Sequence, residues 1–262
     1  MSDHVKITKS DGILTLILDR PEKKNALTDA MYGALADAID DARTDDEVRV
    51  ILLRSEGSMF TSGNDVGEFA AVAMGGSPPQ HVGRFLRAIT MAAKPLVAAV
   101  QGRAIGVGTT MLLHFDHVVL ADNAELSTPF VNLALVPEAS SSLLLPARIG
   151  HLRAFAMFAL GEPVAAQEAL SWGLANKVVP LAELVPTAEA FAARLAAKPA
   201  GALVATKQLM RDTAAVAAQM DLETEQFVER LKSAEAREAF MAFAARRPRG
   251  LRAGDAQRAD ET

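Results

Sequence analysis

Ser62-Gly63-Asn64-Asp65 and Gly102-Arg103-Ala104-Ile105-Gly106-Val107-Gly108 each follow a strand-like apolar run and lead into a helical pattern. A glycine lets a ligand approach the main chain closely, and the first N–H groups of a helix have no intrahelical partner. Two such turns can aim backbone donors at one oxygen atom. They would then polarise a carbonyl and hold the negative charge that develops when a neighbouring carbon is deprotonated. The matching base is a single carboxylate, Glu138, within Leu135-Val136-Pro137-Glu138-Ala139-Ser140-Ser141-Ser142.

Each of these features also has a plainer reading. Pro137-Glu138 suits a helix start, where Pro fits the first turn and Glu complements the dipole. Ser62–Asp65 alone is an ordinary turn composition. Gly106 and Gly108 are not followed by the Lys-Ser/Thr pair of a nucleotide phosphate loop. Ser140, Ser141 and Ser142 lack a Gly-x-Ser-x-Gly elbow, and helix capping accounts for them more simply. Of the histidines, only His114 and His117 are close in sequence, one pair without nearby carboxylates, so a metal site is not expected.

The elements that must position these residues alternate. Apolar, β-branched runs at Ile13–Leu18, 48–53, Leu96–Val100 and His117–Leu120, with a short one at Glu125–Thr128, predict strands. Thr28 caps a predicted helix reaching about Arg43, with Met31, Leu35, Ala38 and Ile39 on one face. A second helix is expected over His81–Ala93, and a third begins in the glycine turn. This order implies an α/β fold with a largely parallel sheet and right-handed crossovers. After Pro137 the strand signal ends and alanine-rich helices follow. We therefore expect a core over residues 1–190 and a helical region over 191–262. Phe227, Leu231, Phe240 and Phe243 give that region an apolar surface, buried either on another subunit or on its own core. Met74-Gly75-Gly76-Ser77-Pro78-Pro79 reads as a mobile loop.

Bulk properties narrow the function classes. The 262 residues are 50% apolar and 23% charged, with a net charge of −5. That balance argues against a dedicated nucleic-acid binder. Without a cysteine there are no disulfides, thiolate nucleophiles or thiolate metal ligands. No apolar segment has signal-peptide or membrane-spanning length, and Asp260-Glu261-Thr262 is no peroxisomal address. A soluble, cytoplasmic protein with no membrane partner is expected.

Four patterns in order resemble the enoyl-CoA hydratase/isomerase (crotonase) superfamily. They are Arg20-Pro21-Glu22-Lys23-Lys24-Asn25-Ala26-Leu27, Met59-Phe60-Thr61-Ser62-Gly63-Asn64-Asp65, the Gly102–Gly108 turn, and Leu160–Ala169 with Trp172–Val178. The similarity runs from about residue 10 to 250. It implies a spiral of ββα repeats followed by a helical C-terminal trimerisation region. It also implies an acyl-CoA substrate, no separate cofactor because coenzyme A is part of that substrate, and a homotrimer or dimer of trimers. The oxyanion hole would be the N–H groups of Asn64 and Val107. Thr61, Ser62, Gly63, Asn64, Asp65, Lys24, Ala26, Gly106 and Phe130 would surround the substrate, with Asp65 bracing its turn. Lys23, Lys24 and the Arg246, Arg247, Arg249, Arg252 cluster are either surface charge or neighbours of the coenzyme's polar end.

Departures from the hydratase pattern select within the family. Hydratases of the family use two glutamates to add water; Thr110 and Phe130 occupy those places here. Neither can accept a proton as a carboxylate does. In the family's Δ3,Δ2-enoyl-CoA isomerases a lone glutamate stands where Glu138 does, in a similar Pro-Glu-small-Ser context. A single base over the C2–C3–C4 plane can remove a proton from C2 and return it at C4. Phe130, Phe85 and Phe69 would keep the acyl pocket dry, raising the Glu138 pKa. The alternatives are hydration or thioester hydrolysis, or a non-catalytic acyl-CoA-binding module.

Overall fold

The apolar run Ile13–Leu18 is strand β2, and an unexpected partner, β1 (Val5–Ser10), pairs with it antiparallel. Only Val5 of β1 is buried, so the strand carries no apolar run; its available signal was the Asp11-Gly12 pair of a two-residue hairpin turn. In the computed structural model, described at all residues except 1, 66, 69–70, 72–75, 78 and 247–262, the chain then alternates. Helix α1 (Asp29–Ala42), β3 (Val50–Ser55), α2 (Val82–Met91), β4 (Leu96–Val100), β5 (Arg103–Ile105) and α3 (Val107–Thr110) follow in order. Strands β6 (His117–Ala121) and β7 (Glu125–Ser127) complete the first half.

The second half is helical, as expected, but not strand-free. Helices α4 (Ser141–Ile149), α5 (His151–Leu160), α6 (Ala166–Trp172), α7 (Leu184–Ala196), α8 (Ala200–Leu209), α9 (Thr213–Leu231) and α10 (Ala234–Arg246) are interrupted by β8 (Val164–Ala165) and β9 (Lys177–Val179). These strands have two and three residues, too few for a periodic signal.

The main sheet has the order β1-β2-β3-β4-β6-β9 and is parallel from β2 onward. Its central strands alternate between two cores. Ile51, Leu53, Leu96, Ala98, Val118 and Leu120 face the cluster that includes Met31 and Leu35 of α1. Val50, Leu52, Val97, Ala99, Val119 and Ala121 face Leu184, Ala188 and Ala192 of α7. Burial on both sides is why these strands read as unbroken apolar runs. A second sheet, β5-β7-β8, stands apart from the first. It carries the chain from Gly102 into the Gly106–Gly108 turn.

Thr28 caps α1 as expected, its hydroxyl accepting from Met31 N at 3.3 Å. Among the described residues no helix is long and apolar enough to cross a membrane. Phe69 and most of the Met74–Pro79 segment lie outside the described residues. So do Arg247, Arg249, Arg252 and the side chains of Phe243 and Arg246.

Candidate active site

Glycine allows the two turns to touch. Thr61 and Ala104 form an isolated parallel bridge, Thr61 N donating to Arg103 O at 3.2 Å and Ile105 N to Thr61 O at 3.1 Å. A Cβ on Gly63, whose φ is +87°, would lie 2.8 Å from Ile105 O; one on Gly108 would lie 2.5 Å from Thr61 Cγ2. No larger residue fits either position without moving a turn. Thr61 is buried and braces the assembly, donating to Asn25 O at 2.6 Å and accepting from Gly63 N at 3.1 Å.

This geometry frees two amides. The bridge between Leu27 and Asn64 uses Gly63 O and Asp65 N, at 2.9 and 2.8 Å, and leaves out Asn64's own N–H. Gly106, with φ +58°, donates to Ser127 O at 2.9 Å and turns the chain into α3. Val107 is the first residue of α3, so its N–H has no intrahelical acceptor. Among the described residues neither N–H has a protein acceptor. Both residues line one cleft of about 1100 Å³.

Around it the predicted residues mostly assemble. Lys24, Ala26, Ser62, Gly63, Asp65, Gly106 and Phe130 also line the cleft, whereas Thr61 lies behind its wall. Asp65 pairs with Arg20 at 2.8 Å and accepts Gly67 N at 2.9 Å. Burial pushes its carboxyl up, but the Arg20 bond and backbone donors prevail and hold it below the usual range. The cleft lining carries four cations, Arg20, Lys23, Lys24 and Arg103, of which Arg20 pairs with Asp65 and Arg103 with Glu125, together with Glu22 and an apolar set of Phe130, Leu133, Leu135, Phe227 and Phe240. The last two come from α9 and α10. Phe240 and Leu231 pack with Phe130 and Leu135, so the tail's apolar face meets its own core. Phe85 instead packs on Tyr32, with ring centroids 5.5 Å apart.

Glu138 is 8% exposed and, like Thr61, is not among the residues that line the cleft. Thr110, at the other end of α3 from Val107, donates its hydroxyl to Glu138 Oε1 at 2.6 Å. Glu138 is thus tied to the same helical turn that begins with the Val107 N–H. Burial raises the Glu138 pKa to about 7, against the Thr110 hydrogen bond and with a push from the Glu223 charge. Tyr32, fully buried, donates its hydroxyl to Asn64 Oδ1. Burial raises the Tyr32 pKa, with the Glu138 charge adding to it.

Sequence reading missed what lies under Glu138. Ala139 and Ser140 are both left-handed, with φ of 61° and 57°, before α4 begins. Ser140 does not cap α4 with its hydroxyl, which donates to Val216 O at 2.7 Å. Glu223 of α9 binds the helix start in its place. On the other side His114 Nε2 lies 2.7 Å from Ala139 O and its Nδ1 meets Arg211 Nη2. A carbonyl needs a donor, so Nε2 carries the proton and Nδ1 accepts. Burial and then the Arg211 charge lower the His114 pKa to about 3, leaving it neutral. His117 goes elsewhere, stacked on Phe191 with centroids 3.4 Å apart. Among the described residues no three His, Cys, Asp or Glu could together hold a metal ion.

The sequence profile of the enoyl-CoA hydratase/isomerase family matches residues 8–251. The chain is 34% identical over 246 residues to 1,2-epoxyphenylacetyl-CoA isomerase of Escherichia coli K12, covering 90% of this chain and 93% of that protein. It is 35% identical over 184 residues to enoyl-CoA delta isomerase 2 of Rattus norvegicus, covering 68% of this chain and 47% of that one. The crystal structure of an enoyl-CoA hydratase/isomerase from Pseudoalteromonas atlantica T6c superposes with a TM-score of 0.88 at 39% identity, covering 93% of this chain and 97% of the other. The fold and paired turns define a crotonase-type protein. The chain belongs to the enoyl-CoA hydratase/isomerase family.

Proposed function

We propose that this protein is a Δ3,Δ2-enoyl-CoA isomerase. The observation that carries the reading is a buried acid, Glu138, hydrogen-bonded to Thr110 on the helical turn that begins at Val107. Glu138 is held near neutrality in its pKa, while Thr110 and Phe130 stand where the family's hydratases have their glutamates. In this mechanism the thioester oxygen accepts from Asn64 N–H and Val107 N–H. Glu138 takes a proton from C2, which leaves a dienolate whose charge those amides stabilise. The same carboxyl then delivers the proton to C4, and the double bond has moved without net loss or gain of atoms. The cations of the cleft lining suit the phosphates of the coenzyme, and its apolar set suits the acyl chain.

The reading includes a cytoplasmic homotrimer or dimer of trimers, assembled through the 191–262 region. The assembly is supported by α8, which buries none of its residues, with Leu209 at its end and Met210 just after it 89% and 81% exposed.

The test is turnover of a 3-enoyl-CoA by Glu138→Ala. We expect isomerisation to be lost and CoA-ester binding retained, because the oxyanion donors are main chain. Parental turnover in the variant would dismiss Glu138 as the base. Formation of 3-hydroxyacyl-CoA from a 2-enoyl-CoA by the parent protein would favour a hydratase instead.

A further inference from the structure

Glu223 is 6% exposed and sits on the inner face of α9. Its Oε2 accepts Ser140 N–H at 2.5 Å; its Oε1 accepts Ser142 N–H at 2.8 Å and the Ser142 hydroxyl at 2.5 Å. Gln219, one helical turn earlier, donates to that same hydroxyl oxygen at 2.9 Å. Burial raises the Glu223 pKa, while the bonds from Ser142 and Ser140 act against that rise; every group touching the carboxyl donates to it, the arrangement that suits a carboxylate. A local side chain is the ordinary way to satisfy a helix start. Here the cap comes from 81 to 83 residues away, and burying a charge for that purpose alone is costly.

The capped turn is the one that carries Glu138. We propose that Glu223 is a positioning residue for Glu138, fixing where its carboxyl lies and, through its own negative charge, how readily it takes a proton. The inference rests on the isomerase reading for its kinetic consequence but not for its electrostatic one.

The charged and titratable surroundings leave Glu223 as the dominant field on Glu138. From α1 comes the Tyr32 phenol, which is neutral. The Met111–His114 turn supplies His114, also neutral, backed by Arg211, Arg148 and Lys207. On α2, Arg87 pairs with Asp221 of α9 at 2.5 Å on the surface. From α10, Glu235 pairs with Arg230. Among the described residues no cation forms a salt bridge with Glu138 or Glu223.

The experiment compares the parent with Glu223→Gln, Glu223→Asp and Ser142→Ala. Two readouts are taken: 3-enoyl-CoA turnover against pH, and titration of the Glu138 carboxyl by carbon NMR with labelled glutamate, assigned by its loss in Glu138→Gln. In Glu223→Gln we expect kcat to fall about tenfold with KM nearly unchanged. Glu138 should also titrate at lower pH than in the parent, because a neighbouring negative charge has gone. Glu223→Asp keeps that charge, so its titration stays near the parental one while kcat still falls. A purely structural cap would not produce this split. An unmoved Glu138 titration and parental kcat in Glu223→Gln overturn the proposal. Should that variant not fold, parental kcat in both Glu223→Asp and Ser142→Ala overturns it equally. Failure of the isomerase reading shows separately, as turnover that survives Glu138→Ala, and leaves the NMR comparison valid.

Discussion

The Thr110 hydroxyl donates to Glu138 Oε1 at 2.6 Å, both residues being buried. A donor on one carboxylate oxygen favours the ionised form and leaves the second oxygen for substrate. Thr110→Val removes the hydroxyl at nearly constant shape. The Glu138 pKa should then rise above about 7, since burial remains and its main opposing interaction is lost. The acid limb of the pH–rate profile for isomerisation should move to higher pH, with turnover near pH 7 falling several-fold and recovering in more alkaline buffer. Thr110→Ser should keep the parental profile. A limb that stays in place in Thr110→Val would show that this bond does not tune the base.

Glu138→Gln makes a prediction about stability. The folded-state pKa of about 7 stands above the ordinary value of 4.5, so the folded chain binds more protons between those values. Stability from this group is therefore present below pH 4.5 and lost as pH rises through 7. A glutamine still accepts from Thr110 and never ionises. Above pH 7 the variant should be the more stable protein, by up to roughly 3 kcal/mol, while isomerisation is lost. Denaturant melts at pH 5 and pH 8.5 check it: the gap between variant and parent must widen at the higher pH.

The close approach of Gly108 to Thr61 makes the two turns, the proposed oxyanion hole, interdependent. In Gly108→Ala the new methyl meets Thr61 Cγ2 at 2.5 Å, and the turns must separate. We expect kcat to fall by about 10²-fold with the fold retained, because donor placement rather than donor identity is lost. Thr61→Ser removes the obstructing methyl and keeps the hydroxyl that bonds Asn25 O. In the Gly108→Ala background it should restore most of the activity. No rescue would mean that the defect arises elsewhere.

Phe240 joins the C-terminal helix to the cleft. It is buried against Phe130, Leu135 and Leu231 while also forming part of the cleft wall. Phe240→Ala should cost about 3 kcal/mol in the packing of that region. On the proposed function the lost side chain lies beside the acyl group, so KM for a long-chain substrate should rise more than KM for a four-carbon one. Equal KM changes for both lengths would place Phe240 away from the acyl chain.

Much of this architecture could be read along the chain where local signal and tertiary burial agree. Leu96–Val100 is a strand with those bounds because its run is buried on both faces, and Ile13–Leu18 because Leu14, Leu16 and Leu18 bury one face while Ile13 and Thr15 on the other are half-buried. Thr28 starts α1 because its cap is local. The edge strand β1 was hidden by its exposure, and β9 by its brevity, since its partner β6 lies far upstream. Glu138 stood out through its setting between Pro137 and a run of small residues. Glu223 did not, because its partners Ser140 and Ser142 are remote in sequence. A trace was present nonetheless. Val216, Met220, Phe227 and Leu231 make an apolar stripe on α9, and Glu223 interrupts it at helical spacing. An acid on a core-facing stripe asks for a buried donor.

One wall of the cleft is built from α9 and α10, while its paired turns come from the first half of the chain. During synthesis those turns, and Glu138 after them, therefore emerge before α9 and α10. On the proposed function, the chamber for the acyl chain forms only when these two helices fold back across it. Ligand and tail are thereby linked: an acyl group lodged against Phe227 and Phe240 should slow amide hydrogen exchange in α9 and α10, at a distance from the atoms that react.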